Sequence, residues 1–202
     1  MNFTGPKVKK SRALGVALTP KAAAGMRKRP TPPGQHGAAR GRRRRPSEYG
    51  VQLLEKQRLR FQYNISEKQL VRAYKTATRM PGSTGDNLLQ VLETRMDALV
   101  LRAGFAPTIY AARQMVTHGH FLVNGKKATI PSMRLKPGDV ISVRERSKKS
   151  PLFDAQILPR GEVAKYMTFD VNKLSARFEG IPSREEIPVI CAEHLVVEFY
   201  SR

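Results

Sequence analysis

Residues 93–143, ETRMDALVLRAGFAPTIYAARQMVTHGHFLVNGKKATIPSMRLKPGDVISV, decide the reading of this chain. From Glu93 to Ala103, Met96, Leu99, Val100 and Ala103 recur at helical spacing, and Gly104 marks the stop. Thr108 is the candidate N-cap of a second helix, whose apolar stripe is Ile109, Ala112, Met115 and Val116 and which closes at Gly119. The period then switches to two at Phe121 and Val123, before the hairpin turn Asn124-Gly125. Short strands are expected over 128–130 and 140–144, the latter after the turn Lys136-Pro137-Gly138-Asp139.

The same stretch concentrates donors where the backbone bends. Arg113 and Thr117 lie four apart on the second helix, and His118, His120, Asn124, Lys126 and Lys127 crowd its end and the following turn. Gly119 and Gly125 permit tight turns and close backbone approach. Such a cluster suits a bent phosphodiester strand or a helix junction. A basic hairpin of this kind is equally compatible with a solvated face.

Working outward, Ser47 is the candidate cap of a helix through EYGVQLLEKQRLRFQY. Its apolar side is expected at Leu53, Leu54, Gln57 and Phe61, with Lys56, Arg58 and Arg60 turned outward as candidate RNA contacts. A further helix starts at Ser66, with Gln69 completing a capping box. It carries Leu70, Ala73, Tyr74 and Ala77 inward and ends near Met80-Pro81-Gly82. DNLLQVLE, residues 86–93, forms the next. Downstream, a strand is expected over 166–169, SKKSPL is a loop or strand edge, Ser183 to Glu186 is a second capping box, and HLVVEFY is an apolar finish. There are no internal repeats.

The charge is uneven. Of 37 Lys and Arg, thirteen fall in the first 47 residues, which contain no Asp or Glu; the whole chain of 202 residues carries +21. Residues 1–46 are rich in Gly and Pro and show no helical or strand period. Alone they are expected to be disordered, because they bury too little apolar surface to offset conformational entropy. Lys7, Lys9, Lys10, His36, Arg40 and the run Arg42, Arg43, Arg44 and Arg45 are the candidate phosphate contacts of an arm that orders on RNA.

A net charge this large repels itself in a compact chain, so a polyanionic partner is expected. No apolar run approaches the ~20 residues that span a bilayer, so no membrane partner is expected. The single cysteine, Cys191, rules out an internal disulfide and a multi-cysteine metal site; its apolar neighbours suggest a buried, inert thiol. The start, MNFTGPKVKK, lacks the apolar core of a secretory signal, and Pro6, Pro20, Pro30, Pro32, Pro33 and Pro46 argue against a transit helix. His118 and His120 are two apart across a glycine, not at the i, i+4 spacing of zinc enzymes, and no P-loop, nucleophile elbow or dinucleotide fingerprint is present. Asp86, Asp97, Asp139 and Asp154 are isolated and suit caps, turns or arginine partners. Neither an enzyme nor a cofactor or metal site is expected.

Arg113 to Lys127 resembles the signature of the S-four RNA-binding domain, found in ribosomal proteins, some pseudouridine synthases and tyrosyl-tRNA synthetases. The wider chain is similar to the bacterial S-four family of small-subunit ribosomal proteins. The matching runs are TGPK at 4–7, PGQHG at 33–37, YGVQLLEKQRLR at 49–60, TGDNLLQVLETRMD at 84–97, HGHFLVNGKKATIPS at 118–132, PGDVISVRE at 137–145 and VEFYSR at 197–202. TGPK at the very start also speaks against a removed transit segment. The resemblance implies an α+β protein with a basic arm over 1–46 and a helical domain over 47–92, completed by about 175–202. The RNA-binding domain would span 93–174, with two helices on a small antiparallel sheet.

It further implies a structural protein of the small ribosomal subunit in the cytoplasm. Such a protein is a primary binder of small-subunit ribosomal RNA at a junction in the 5′ domain and acts early in assembly. Its implied partners are ribosomal protein S-five, other small-subunit proteins and messenger RNA near the entry site, with an influence on decoding accuracy. A free-standing RNA-binding regulator or assembly factor is the alternative. Two positions depart from the pattern. The family's four N-terminal zinc-binding cysteines are absent. The Ser/Thr-Arg pair opening the second helix is Thr108-Ile109 here, which shifts phosphate binding toward Arg113.

Overall fold

A computed structural model describes residues 3–35, 37, 47–154 and 158–202. The chain divides into two compact units, residues 1–85 with 189–202 and residues 86–188.

The first unit is helical and begins earlier than its composition suggests. Residues read as an arm without period contain two helices, α1 (Lys7–Leu14) and α2 (Pro20–Lys28). Thr19 caps α2 with its side chain, accepting from the Ala22 N–H, and Pro20 opens the helix where its missing N–H costs nothing. Leu14, Val16, Leu18 and Ala22 are buried. Arg12 donates to Thr31 O at 2.9 Å and Pro32 O at 3.3 Å, pinning the segment after α2 onto α1. Packing, not propensity, holds these short helices.

Helix α3 (Glu48–Gln62) starts at Ser47, whose Oγ accepts from the Gly50 N–H. Its inner face is Gln52, Glu55, Lys56, Leu59 and Phe61, rotated from the face expected. Lys56 therefore points inward, where Nζ meets Glu67 at 2.8 Å and lies 4.6 Å from the Phe199 ring centroid. Helix α4 (Glu67–Ala77) carries the Ser66/Gln69 capping box and buries Leu70, Ala73 and Ala77. It stops at Ala77, short of Pro81. Cys191 is only half-buried, with Sγ 3.7 Å from Glu55 O.

The second unit is an antiparallel sheet of five strands in the order β2-β1-β3-β5-β4 with helices packed on it. Helix α5 (Thr84–Glu93) leads into α6 (Met96–Arg102) and α7 (Ile109–Thr117). Thr108 caps α7 by accepting from the Ala111 N–H. Strands β1 (Phe121–Val123) and β2 (Lys126–Ala128) join through Asn124 and Gly125, both at positive φ (48° and 79°), as a two-residue type I′ turn requires. That turn is so short that pairing resumes at Lys126, two residues before the expected strand; Ile130 is 61% exposed. Strand β3 (Val140–Val143) pairs with β1, and β4 (Met167–Asp170) with β5 (Ser175–Phe178). The sequence reading did not include β5 as a strand and assigned its residues to the helical domain.

Phe121, Ile141, Val143, Ala176 and Phe178 face a core shared with Met96, Leu99 and Val100 of α6 and Ala112, Met115 and Val116 of α7. Within this core, fully buried Glu93 is ion-paired with Arg102 and accepts from the Tyr166 hydroxyl at 2.6 Å. Burial, reinforced by the Glu93 charge, pushes Tyr166 far above the usual phenol range and keeps it a donor. Glycine is required at 104: its φ is +80°, and a Cβ there would lie 2.6 Å from Pro159 Cβ.

Candidate nucleic-acid interface

No Asp or Glu occurs between residues 98 and 138, a span that includes α7, the β1–β2 hairpin and the candidate contacts Arg113, Lys126 and Lys127. Thr117 and His118 are exposed at the end of α7, and Lys126 and Lys127 are exposed on edge strand β2. Lys127 is directed back toward α7, because a Cβ on Gly119 would meet its Cε at 2.6 Å and Thr129 Cγ2 at 3.3 Å. The fold thus brings His118, Lys127 and the helix end onto one surface. Thr117 Oγ1 donates to Arg113 O at 2.8 Å, and its hydroxyl keeps lone pairs toward solvent.

Three expected contacts have internal duties. Arg113 Nη1 meets fully buried Asp97 at 3.1 Å, and Asp97 also takes a two-pronged bond from Arg95 at 2.9 and 2.7 Å. Burial, with repulsion from Arg95, lowers the Arg113 pKa against the opposing pull of Asp97. Arg113 is therefore first an anchor between α7 and α6. Asn124 donates to Asp139 at 2.8 Å and accepts from the Val140 N–H at 2.9 Å, which ties the hairpin turn to the turn before β3. His120 is half-buried. Its Nδ1 lies 3.0 Å from Ser147 Oγ, and its ring centroid lies 5.6 Å from Phe153 and 6.1 Å from His118. Burial, helped by His118, lowers its pKa and favours the neutral ring.

In the first unit, Lys9 is exposed. Lys7 reaches Thr4 O at 3.2 Å, and Lys10 sits 5.2 Å from the Phe61 ring centroid. Arg58 donates to Leu14 O at 2.7 Å, closing the end of α1, and is ion-paired with Glu55. Arg60 is 3.3 Å from Glu67 and stacks over Phe61 at 4.8 Å. Lys56, Arg58 and Arg60 were expected to face outward; all three are bound to neighbours within the unit. His36, Arg40, Arg42, Arg43, Arg44 and Arg45 lie outside the described residues. Ile109, where the family resemblance leads one to expect arginine, is 4% exposed and packs in the core.

A second basic surface was missed. Arg144 to Lys149, RERSKK, forms the short helix α8 (Glu145–Lys148) and its flanks; Arg146 and Lys149 are exposed. Glu145, the only acid there, pairs with Lys148 at 2.6 Å. The signal in the sequence is the charge run itself, part of which, within SKKSPL, was expected as a loop or strand edge. Among the described residues, no group of three His, Cys, Asp or Glu side chains could hold a metal ion, and no helix is long and apolar enough to cross a membrane.

Residues 2–93 match the family described as Ribosomal protein S4/S9 N-terminal domain, and residues 94–141 match the S4 domain. The chain is 56% identical over 205 residues to the "Small ribosomal subunit protein uS4" of Streptomyces avermitilis, covering 100% of this chain and 99% of that one. The Streptomyces coelicolor protein of the same name shows the same identity and coverage. That of Brevibacillus brevis is 48% identical over 200 residues, covering 99% and 98%.

Proposed function

We propose, because the chain belongs to the uS4 family of small ribosomal subunit proteins, that it clamps folded small-subunit ribosomal RNA through the cationic surface at the end of α7 and the β1–β2 hairpin. As a member of that family it is a structural component of the small subunit and not an enzyme. The observation that carries the finer reading is the exposed group Thr117, His118, Lys126 and Lys127, in a stretch without Asp or Glu, on a hairpin fixed by the Asn124–Asp139 bond. A-form helices hide their base edges from side chains, so recognition here is of backbone shape.

Contacts at a junction of the 5′ domain, with ribosomal protein S-five and with messenger RNA near its entry, are part of the same proposal. So is residence on cytoplasmic ribosomes. These rest on the family resemblance. Lys126 and Lys127 take the leading role, and Arg113, Lys56, Arg58 and Arg60 act by holding the scaffold. Binding of the full chain to a 5′-domain transcript, measured over a salt series, tests it. Each Lys126→Ala or Lys127→Ala substitution should reduce the slope of log K against log salt by about 0.7–0.9, one phosphate contact apiece. An unchanged slope in the double variant would refute the hairpin as an RNA surface.

A further inference from the structure

A cavity of about 210 Å³ opens beside this hairpin, lined by Ala111, Gln114, Met115, His118, His120 and Leu152. Helix α7 contributes three of these at i, i+3 and i+4, so they share one face. The walls are apolar at Ala111, Met115 and Leu152, which remains 40% exposed. Among the described residues, the polar edges come from the Gln114 amide and the two imidazoles. The wall opposite α7 is held by the basic segment: Arg144 N–H donates to His120 O at 2.8 Å, Ser147 Oγ meets His120 Nδ1, and Arg160 Nη2 donates to Leu152 O at 3.0 Å.

We propose that this cavity receives one unstacked nucleobase from an RNA strand whose phosphates lie along Lys127, Arg146 and Lys149. The proposal rests on the RNA-binding reading above and deepens it. Charge complementarity selects the occupant. Lys127 reaches Gly119, between the two histidines, and exposed Arg146 and Lys149 lie within two residues of Ser147, which holds His120. Glu145 is paired with Lys148, and Asp154 follows two residues after Leu152. An apolar peptide would gain nothing from that rim, whereas a nucleotide presents a flat ring and an anion together.

The two imidazoles are 6.1 Å apart and inclined by 43°, too close and too tilted to sandwich a base between them. The exposed His118 ring therefore supplies a stacking face, while Ser147 fixes His120 by one nitrogen and leaves the other for the base edge. Gln114 offers both donor and acceptor, so the site tolerates more than one base.

The test uses the full chain and the 5′-domain transcript over a salt series, with melting curves of each variant as the folding control. His118→Ala removes the stacking face, and Ala111→Leu fills the cavity with a good helix former. Each should weaken binding about tenfold, the order of one lost base–ring stack, with the salt slope unchanged. His118→Phe should restore most of the affinity. If both variants bind like the parent while Lys127→Ala still lowers the slope, RNA binding stands and the nucleobase proposal fails. A drop in slope for His118→Ala would make His118 a phosphate contact and also overturn it. If the parent chain does not bind the transcript, both readings fall.

Discussion

Asp97→Ala should unfold the second unit at a much lower temperature. Asp97 is fully buried at the start of α6, where it accepts twice from Arg95, once from Arg113 at 3.1 Å and once from the Ala98 N–H at 3.1 Å. Arg95 is 5% exposed, so deleting the carboxylate leaves a nearly water-free guanidinium with no counter-charge. Removing one partner of such a pair costs about 3–5 kcal/mol. For a unit near one hundred residues this lowers the midpoint by roughly 15 °C or more. Asp97→Asn keeps the shape and one acceptor, and should lose about half as much, since charge-assisted bonds are about twice as strong as neutral ones. In the double variant Asp97→Ala/Arg113→Ala, the Arg113–Asp97 bond that each single variant removes is lost only once, so the loss should fall short of the sum by about 0.5–3 kcal/mol. Urea unfolding followed by circular dichroism measures all of these. A loss under about 1 kcal/mol for Asp97→Ala, or strict additivity in the double variant, would show that the cluster does not hold α6 and α7 together.

Gly104→Ala places a side chain at φ +80° against Pro159, and should cost about 2 kcal/mol or more in the same unfolding assay. Arg58→Met removes the donor at Leu14 O, so amide exchange in α1 should accelerate while that in α7 stays unchanged. Burial raises the Glu67 carboxyl, but bonds from Lys56 and Tyr200, the Lys56 charge and Arg60 outweigh it and hold the pKa below its ordinary 4.5. Between that lowered value and 4.5 the unfolded chain binds more protons, so this stability is present above 4.5 and lost as pH falls through the folded value. Glu67→Gln should flatten the acid limb of the stability curve of the first unit.

Local chemistry was legible in the sequence wherever a short-range rule decides the backbone. Ser47, Ser66 with Gln69, and Thr108 cap the helices they were expected to cap, and Asn124-Gly125 makes the expected turn. Non-local packing was not legible. α1 and α2 are short and basic, and depend on burial of Leu14, Val16 and Leu18 and on bonds from Arg12 and Arg58; Thr19-Pro20 was the available hint. β5 is too short for its alternation to stand out, and its identity comes from pairing with β3 and β4. The inward turn of Lys56 depends on Glu67 and Phe199, residues no helical wheel contains. The same blindness made Arg113 look like a free cation, since its partner Asp97 lies sixteen positions earlier.

The partners of α3 and α4 in the last helix, α9 (Glu193–Ser201), and its approach have consequences for synthesis. Gln52 bonds Glu198, Gln62 bonds Ile190, Glu55 bonds Ala192 and Glu67 bonds Tyr200, at sequence separations of 128 to 146. Strand pairing in the second unit closes entirely within residues 86–188. On a chain emerging from its N-terminus, the second unit completes its contacts first. The earlier helices wait with a half-filled seam until the final turns of α9 leave the exit tunnel. Release a dozen residues early would leave Gln52 without Glu198 and Glu55 without the Ala192 N–H, with only its Arg58 pair remaining on α3, which makes the last turns of α9 a checkpoint on α3 and α4.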